Sequence, residues 1–261
     1  MGTMIDLDAL RDAVPAVLAD EPDPARSPRY GFISTQALLE ALAERGWLPR
    51  EIRQVRTREP DRRRYALHVV RLRQEAAGLV AGEVYPELVL VNAHDGSRAF
   101  RAYAGLYRLL CRNGLTIELP DGFGLMRVRH TAGQVEAAVA RALAVAERLP
   151  ALAARIERWR AIGLGPALRE RFAQAALALR WPHGAPVGPR EVLAARRPED
   201  APETLWHVYN RIQENLLRGG MTGRSRSGRP MRVRPLRSAA RTVALDAALW
   251  RLAERIEKEA A

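Results

Sequence analysis

Apolar positions recur along this chain in two successive rhythms. Between Tyr30 and about His130 they alternate every second residue or run continuously for a strand's length; from Gly133 onward they recur every three or four residues. In the first part, "RYGFI" reads as a strand. "STQALLEALAERGW" reads as a helix with Ser34 or Thr35 as N-cap, Leu38, Leu39 and Leu42 on its apolar side, and Gly46 at its stop. "REIRQVRTR" and "RRYALHVVRLR" alternate as strands, with Tyr65, Leu67, Val69 and Arg71 falling on one face of the second. "PELVLVNA" is a continuous apolar run. "SRAFRAY" pairs with it across Asp95-Gly96, a dipeptide that favours tight hairpins. "GLYRLLCRNGLTI" reads as a short helix closed by Asn113-Gly114 and leading into a strand, and "GFGLMRVRH" as the last strand of the sheet.

The second part is helical. "GQVEAAVARALAVAERLPALAARIERWRAI" is one long helix or two joined at Pro150, since an interior proline removes a hydrogen bond and kinks a helix. "PALRERFAQAALALRW" places Leu168, Phe172, Ala175 and Leu179 on one stripe. Prolines at 182, 186, 189, 198 and 202 mark a connector holding at most one short helix near "REVLAAR". "ETLWHVYNRIQENLL" resumes as a helix and "RGGMTGRSRSGRPMRVRPLRS" reads as loop. "LDAALWRLAERIEKEA" closes the chain with Leu245, Leu249, Leu252 and Ile256 on one face.

These elements predict an α+β fold: an antiparallel sheet in strand-helix-strand-strand-strand order, covered by long helices, with a mostly helical C-terminal part. The expected divisions are an N-terminal arm over 1–29, an α+β core over 30–181, a proline-rich connector over 182–202, and a helical part with an Arg/Gly-rich loop over 203–261. The order of the core is similar to that of single-strand-annealing proteins of recombination, a likeness of topology alone.

Charge changes the picture most. The net charge of +12 is carried almost wholly by arginine, Lys258 being the only lysine. Residues 45–73 hold ten arginines against Glu51, Glu59 and Asp61, and residues 215–245 hold eight and no acid. Two concentrated basic regions on an otherwise near-neutral chain point to a polyanionic partner, nucleic acid above all. The candidate contacts are Arg56, Arg58, Arg71, Arg73, Arg108, Arg218, Arg224, Arg226, Arg229, Arg232 and Arg234. Guanidinium groups suit phosphate because they meet its oxygens in pairs. Tyr65, Tyr103, Tyr107, Trp206 and Tyr209 are the aromatics that would stack bases of a single strand.

Other chemistry is thinner. His94 and Asp95 form a pair that suits acid–base work or a divalent metal, with Asn113 as a further candidate, yet a turn needs the same residue types with no chemistry at all. His68 and His130 stand at no metal-ligand spacing, so no metal or other cofactor is expected. Neither a phosphate-binding GxxxxGK[ST] loop nor a GxGxxG turn occurs. The single cysteine, Cys111, excludes an intramolecular disulfide and reads as a small buried hydrophobe. The first twenty residues lack the order of a secretory leader, and no apolar run reaches the roughly 20 residues of a membrane span. The expected setting is the cytoplasm, with no membrane partner.

Three motifs taken together carry a resemblance. "NAHDG" (Asn92 to Gly96), "YRLLCRNG" (Tyr107 to Gly114) and "QENLLRGG" (Gln213 to Gly220), with "RRPED" and "ALWRLAE" beside them, resemble the domain-of-unknown-function 932 family of plasmid, prophage and phage proteins. The likeness runs from about Ser27 to Glu254. It carries over by position the polar residues Asn92, His94, Asp95, Arg108, Cys111, Asn113, Gln213, Glu214 and Asn215. Where the family pattern has Ser, this chain has Ala93, which removes a serine nucleophile there. The family brings no established activity. Its association with mobile elements implies a role on transferred or replicating DNA.

The leading expectation is therefore a DNA-binding accessory protein of a mobile element, engaging single-stranded DNA in recombination, annealing or repair, with DNA preferred to RNA and a homo-oligomer left open. The alternatives are a metal-dependent phosphodiester hydrolase built on His94 and Asp95, and an inhibitor or scaffold that meets an acidic protein.

Overall fold

The computed structural model describes residues 14–27, 30–74, 84–108, 113–117 and 134–260, without the side chains of 113–117 and 134. The proposed strand "GFGLMRVRH", His130 and Cys111 lie outside the described residues. The chain forms two compact units, Met1–Pro150 and Ala151–Ala261. The division thus falls at Pro150, not in the proline-rich stretch.

The first unit is an antiparallel meander: β1 (Trp47–Gln54), β2 (His68–Gln74), β3 (Val84–Asn92), β4 (Arg101–Arg108) and β5 (Asn113–Ile117), neighbours in space in chain order. Two helices accompany it, α1 (Thr35–Ala43) and α2 (Gln134–Ala146). Ser34 caps α1 as expected, its hydroxyl accepting from the Ala37 amide at 3.2 Å. Leu38, Leu39 and Leu42 are buried. β3 is central, so Leu88 to Val91 are all buried and the run reads apolar without alternation. α2 lies against β3 and β4, and Ala138 and Ala142 on the helix and Ala102 and Ala104 on β4 are all buried.

Several expectations change here. Tyr30 to Ile33 of "RYGFI" are irregular, so among the described residues the sheet has no strand before α1 and the likeness to the annealing-protein order loses its first element. "GLYR" is the end of β4, not a helix: Gly105 lies opposite Glu87 and Tyr107 opposite Tyr85, and this pairing overrides local helical preference. The β3–β4 connection is an eight-residue loop, 93–100, and not a two-residue hairpin. Of the segment expected as an N-terminal arm, residues 14–27 are described and docked, with Ala16 and Val17 fully buried and the Ala16 amide bound to Gln54 Oε1 at 3.0 Å.

One face of the sheet carries a charge ladder. Glu87 on β3 is 1% exposed and accepts from Arg71 Nη1 at 2.9 Å and Arg73 Nε at 2.7 Å. Arg71 also lies 3.7 Å from Glu51, its partner across β1 and β2. The Arg73 guanidinium sits 3.9 Å from the centre of the Tyr107 ring.

The second unit is helical: α3 (Leu149–Ala161), α4 (Pro166–Arg180), α5 (Pro189–Leu193), α6 (Leu205–Arg218) and α7 (Ala239–Ala260), with a hairpin of β6 (Thr222–Arg224) and β7 (Pro230–Arg232) where a loop was expected. α6 is buried nearly all round. Trp159, Trp206, Tyr209 and Trp250 form its aromatic centre, Trp159 and Trp250 with ring centroids 4.4 Å apart. Burial, with Asp246 nearby, pushes the Tyr209 hydroxyl well above the usual tyrosine range. The face of α7 is the one expected, with Leu245, Leu249, Leu252 and Ile256 buried. On α4 the stripe is rotated: Phe172, Ala173, Ala176 and Leu177 are inside while Leu179 is 40% exposed. Among the described residues no helix is long and apolar enough to cross a membrane.

Removing one partner of a buried ion pair leaves the other charge uncompensated. Glu87→Gln should therefore destabilise the first unit by about 3 kcal/mol in chemical denaturation. A loss below about 1 kcal/mol would show that the ladder carries little energy.

Candidate functional site

The motif "NAHDG" lies at the end of β3, where the strand meets α1 and the segment before it. The Asn92 amide donates to the Ile33 carbonyl and to Thr35 Oγ1, both at 3.0 Å. Thr35 in turn meets His68 Nε2 at 2.8 Å, and His68 Nδ1 meets the Ala66 carbonyl at 3.0 Å. A carbonyl only accepts, so His68 donates from Nδ1, and its bare Nε2 accepts from the Thr35 hydroxyl. The chain of donors runs Asn92 to Thr35 to His68 to Ala66. Burial holds this imidazole neutral, its pKa lowered to about 4.

His94 is fully buried. Its Nε2 donates to the Ala16 carbonyl at 2.9 Å, and its ring packs 4.8 Å from Phe32 and 5.1 Å from His68, centroid to centroid. Its backbone is held as well, the amide by the Tyr65 carbonyl at 2.9 Å and the carbonyl by the Asp23 amide at 3.1 Å. Asp95 is occupied in its own loop, where Oδ1 accepts from the Ser97 amide at 2.9 Å. The Ala93 carbonyl accepts from the Tyr30 hydroxyl at 3.1 Å. The motif therefore ties β3, β2, α1 and the preceding segment together. Among the described residues no three His, Cys, Asp or Glu side chains converge as metal ligands.

"QENLLRGG" and "RRPED" form a second clasp, in the other unit. Asn215 donates to the Val192 and Ala194 carbonyls, each at 2.9 Å, and accepts from Arg196 Nε at 2.7 Å. Arg196 reaches on to the Gly219 carbonyl. Glu214, 2% exposed, accepts from Arg197 at 2.7 Å, and Arg197 also holds Asp200 at 3.2 Å. Gln213 donates to the buried Asp246 at 3.0 Å. Gly219 is needed because a Cβ there would come within 2.5 Å of the Val233 carbonyl. The proline-rich stretch is thus bolted to α6, with Val187 and Val192 buried, and is not a connector.

The arginines sort into two groups. Those of the first basic segment are largely matched: Arg45 to Glu44, Arg53 to Glu51, Arg62 to Asp23 and Glu59, Arg64 to Asp20, and Arg71 and Arg73 to Glu87. Arg71 and Arg108 are buried and Arg73 half-buried, so these three leave the basic surface. Arg56 and Arg58 stay exposed. Arg218 is exposed and lies 3.4 Å from Glu214.

The other group is Arg224, Arg226, Arg229, Arg232 and Arg234, on or just after the β6–β7 hairpin. All five are exposed, and none has a carboxylate partner among the described residues. Arg224 and Arg232 share a face, because Thr222 pairs with Arg232 and Arg224 with Pro230. The opposite face carries Gly223, where a Cβ would come within 2.1 Å of the Pro186 carbonyl. The Arg224 amide donates to that same carbonyl at 2.8 Å. The hairpin is thereby pinned by one face with its arginines turned outward. Of the aromatics expected to stack bases, Tyr65, Tyr103, Trp206 and Tyr209 are buried and Tyr107 lies under Arg73. Sequence reasoning missed Trp181, half-buried with the Arg180 guanidinium 4.4 Å from its ring centre.

Two measurements test these clasps. His68 has its pKa lowered on folding, so the stability it supports is complete above about pH 6.5 and is lost as pH falls toward about 4. The loss should reach about 3 kcal/mol in denaturation midpoints, and His68→Gln should flatten the profile by about one proton over that window. Glu214→Gln should cost about 2 to 4 kcal/mol in the second unit. A wild-type melting curve for that variant would contradict the clasp.

The comparisons with known proteins agree with the motifs. A family model described as "Domain of unknown function (DUF932)" matches residues 24–250. Two proteins of Escherichia coli (strain K12), UPF0380 protein YafZ and UPF0380 protein YfjQ, are each 35% identical over 242 residues, spanning 92% of this chain and 87% of theirs. No solved structure matches. With the match running through both clasps and nearly the whole chain, the protein belongs to the DUF932 family.

Proposed function

We propose that this protein binds nucleic acid by its phosphates, with the β6–β7 hairpin as the principal contact and DNA of a mobile element as the partner. The observation that carries the reading is the set of five exposed arginines without carboxylate partners on a hairpin pinned by its other face. Each guanidinium offers a paired donor to phosphate oxygens, and a hairpin fixed in advance loses little conformational freedom on binding. The charge surplus of the first basic segment is offset by nearby acids, so Arg56 and Arg58 are the secondary contacts it contributes. Engagement of single strands in recombination or annealing is the finer form of the same reading, drawn from the family's association with mobile elements.

The test is the salt dependence of binding to a fluorescent single-stranded oligonucleotide. The log–log slope for single strands is about −0.7 per phosphate neutralised. Replacing Arg226 and Arg229 together by Ala should make it shallower by about 1.4 and leave the melting temperature unchanged. Absence of binding at low salt, or a slope that ignores the hairpin, would sink the reading. Annealing of complementary strands then separates an annealing protein from a simple binder.

A further inference from the structure

In the second unit a recess of about 190 Å³ opens between α4 and α7. Leu179, Leu236, Leu245 and Ala248 form its apolar wall, and Arg180 and Arg241 stand at it. It is smaller than the roughly 300–1,000 Å³ of pockets for drug-sized ligands, a size that suits one planar group. Three observations make it more than a surface dimple.

The first is Leu179. Among the described residues only it and Met231 are large hydrophobic side chains left exposed. α4 buries Phe172, Ala173, Ala176 and Leu177 and leaves this leucine at the recess.

The second is the charge. Arg180 is half-buried, and its donors go to the backbone carbonyls of Leu216 and Arg234. Neither Arg180 nor Arg241 has a carboxylate partner among the described residues. Burial, and then the neighbouring charge of Arg241, lower the Arg180 pKa to about 10. Two cations that repel each other beside an apolar wall are a costly arrangement, and an anion between them relieves it.

The third is position. Arg180 holds the carbonyl of Arg234, two residues beyond β7, so the recess continues the line of the arginine hairpin. The Arg180 guanidinium also lies over the Trp181 indole, 4.4 Å from its ring centre.

We propose that this recess is a nucleotide site: it takes one unpaired base of a single strand against Leu179, Leu236 and Leu245, with the adjoining phosphate between Arg180 and Arg241. The proposal rests on the reading of the chain as a nucleic-acid binder and gives it a preference for single strands, because a base stacked within a duplex cannot enter. Recognition here is by shape and charge. A fatty carboxylate offers the same charge without the planar base.

The experiment measures three probes on the full chain by equilibrium dialysis: deoxythymidine monophosphate, inorganic phosphate and a 30-residue oligothymidylate. Ala244, exposed on α7 and lining the recess, is replaced by Phe to fill it, and Arg241→Glu reverses its charge. The mononucleotide should bind saturably and lose about ten-fold or more in affinity in either variant. Phosphate alone should weaken with Arg241→Glu and ignore Ala244→Phe. Should Ala244→Phe lower the melting temperature, Ala248→Met serves as the second filling variant.

The site is overturned by an absence of saturable mononucleotide binding, or by mononucleotide and phosphate binding alike with no response to filling. Displacement of the mononucleotide by a medium-chain fatty acid at lower concentration would overturn it in favour of a lipid carboxylate. The oligothymidylate keeps the two ideas apart. If it binds while the mononucleotide does not, the recess fails and the hairpin reading stands; the reverse result leaves the recess and removes the hairpin.

Discussion

A carboxylate taken out of water must be met by a cation or by well-placed donors, and in this chain that requirement decides which arginines are left over. Glu87 is met by Arg71 and Arg73, Glu214 and Asp200 by Arg197, Asp23 by Arg62, and Asp246 by Gln213. These pairs hold the sheet of the first unit and bind the proline-rich stretch to α6 in the second. These acids are drawn inside, and among the described residues the cations of the hairpin and of the α4–α7 recess have no carboxylate partner. The basic surface is what the internal pairing leaves behind.

The same requirement accounts for the family motifs. Asn92, His94, Gln213, Glu214 and Asn215 look chemical in the sequence because they are polar and closely spaced, yet each is buried and engaged. A side chain that must satisfy two backbone carbonyls at once, as Asn215 does, is as tightly specified as one that handles a substrate. The exposed arginines without carboxylate partners among the described residues, Arg224, Arg226, Arg229, Arg232 and Arg234, lie outside these motifs.

How much of this could be read beforehand follows from the range of each cause. Local causes were legible: the Ser34 cap, the break at Pro150, the apolar face of α7 and the hydrophobic strands all follow from neighbours in sequence. Causes that act across the chain were not. "GLYR" joins β4 because Glu87 faces Gly105, and the β3–β4 loop is tied to a segment some seventy residues earlier, the Asp23 amide donating to the His94 carbonyl. Leu179 fits the helical period yet lies outside, since α4 is rotated about its axis by its packing on its neighbours. Arg71 already fell on an apolar strand face in the alternating pattern, but its carboxylate, Glu87, stands on another strand. Five prolines suggest a connector to any reading of composition. Only the folded chain brings Asn215 and Arg196 to where they fasten it.

The hairpin combines a fixed mount with a variable tip. At Gly223 even a methyl group would strike Pro186, so the base of the ribbon admits no drift, whereas the turn between Ser225 and Gly228 meets no such wall. Insertions, deletions and changes in arginine spacing can accumulate at the tip without disturbing the helices behind it. The tip is thus the part of the second unit whose length and charge can change while the scaffold behind it stays the same.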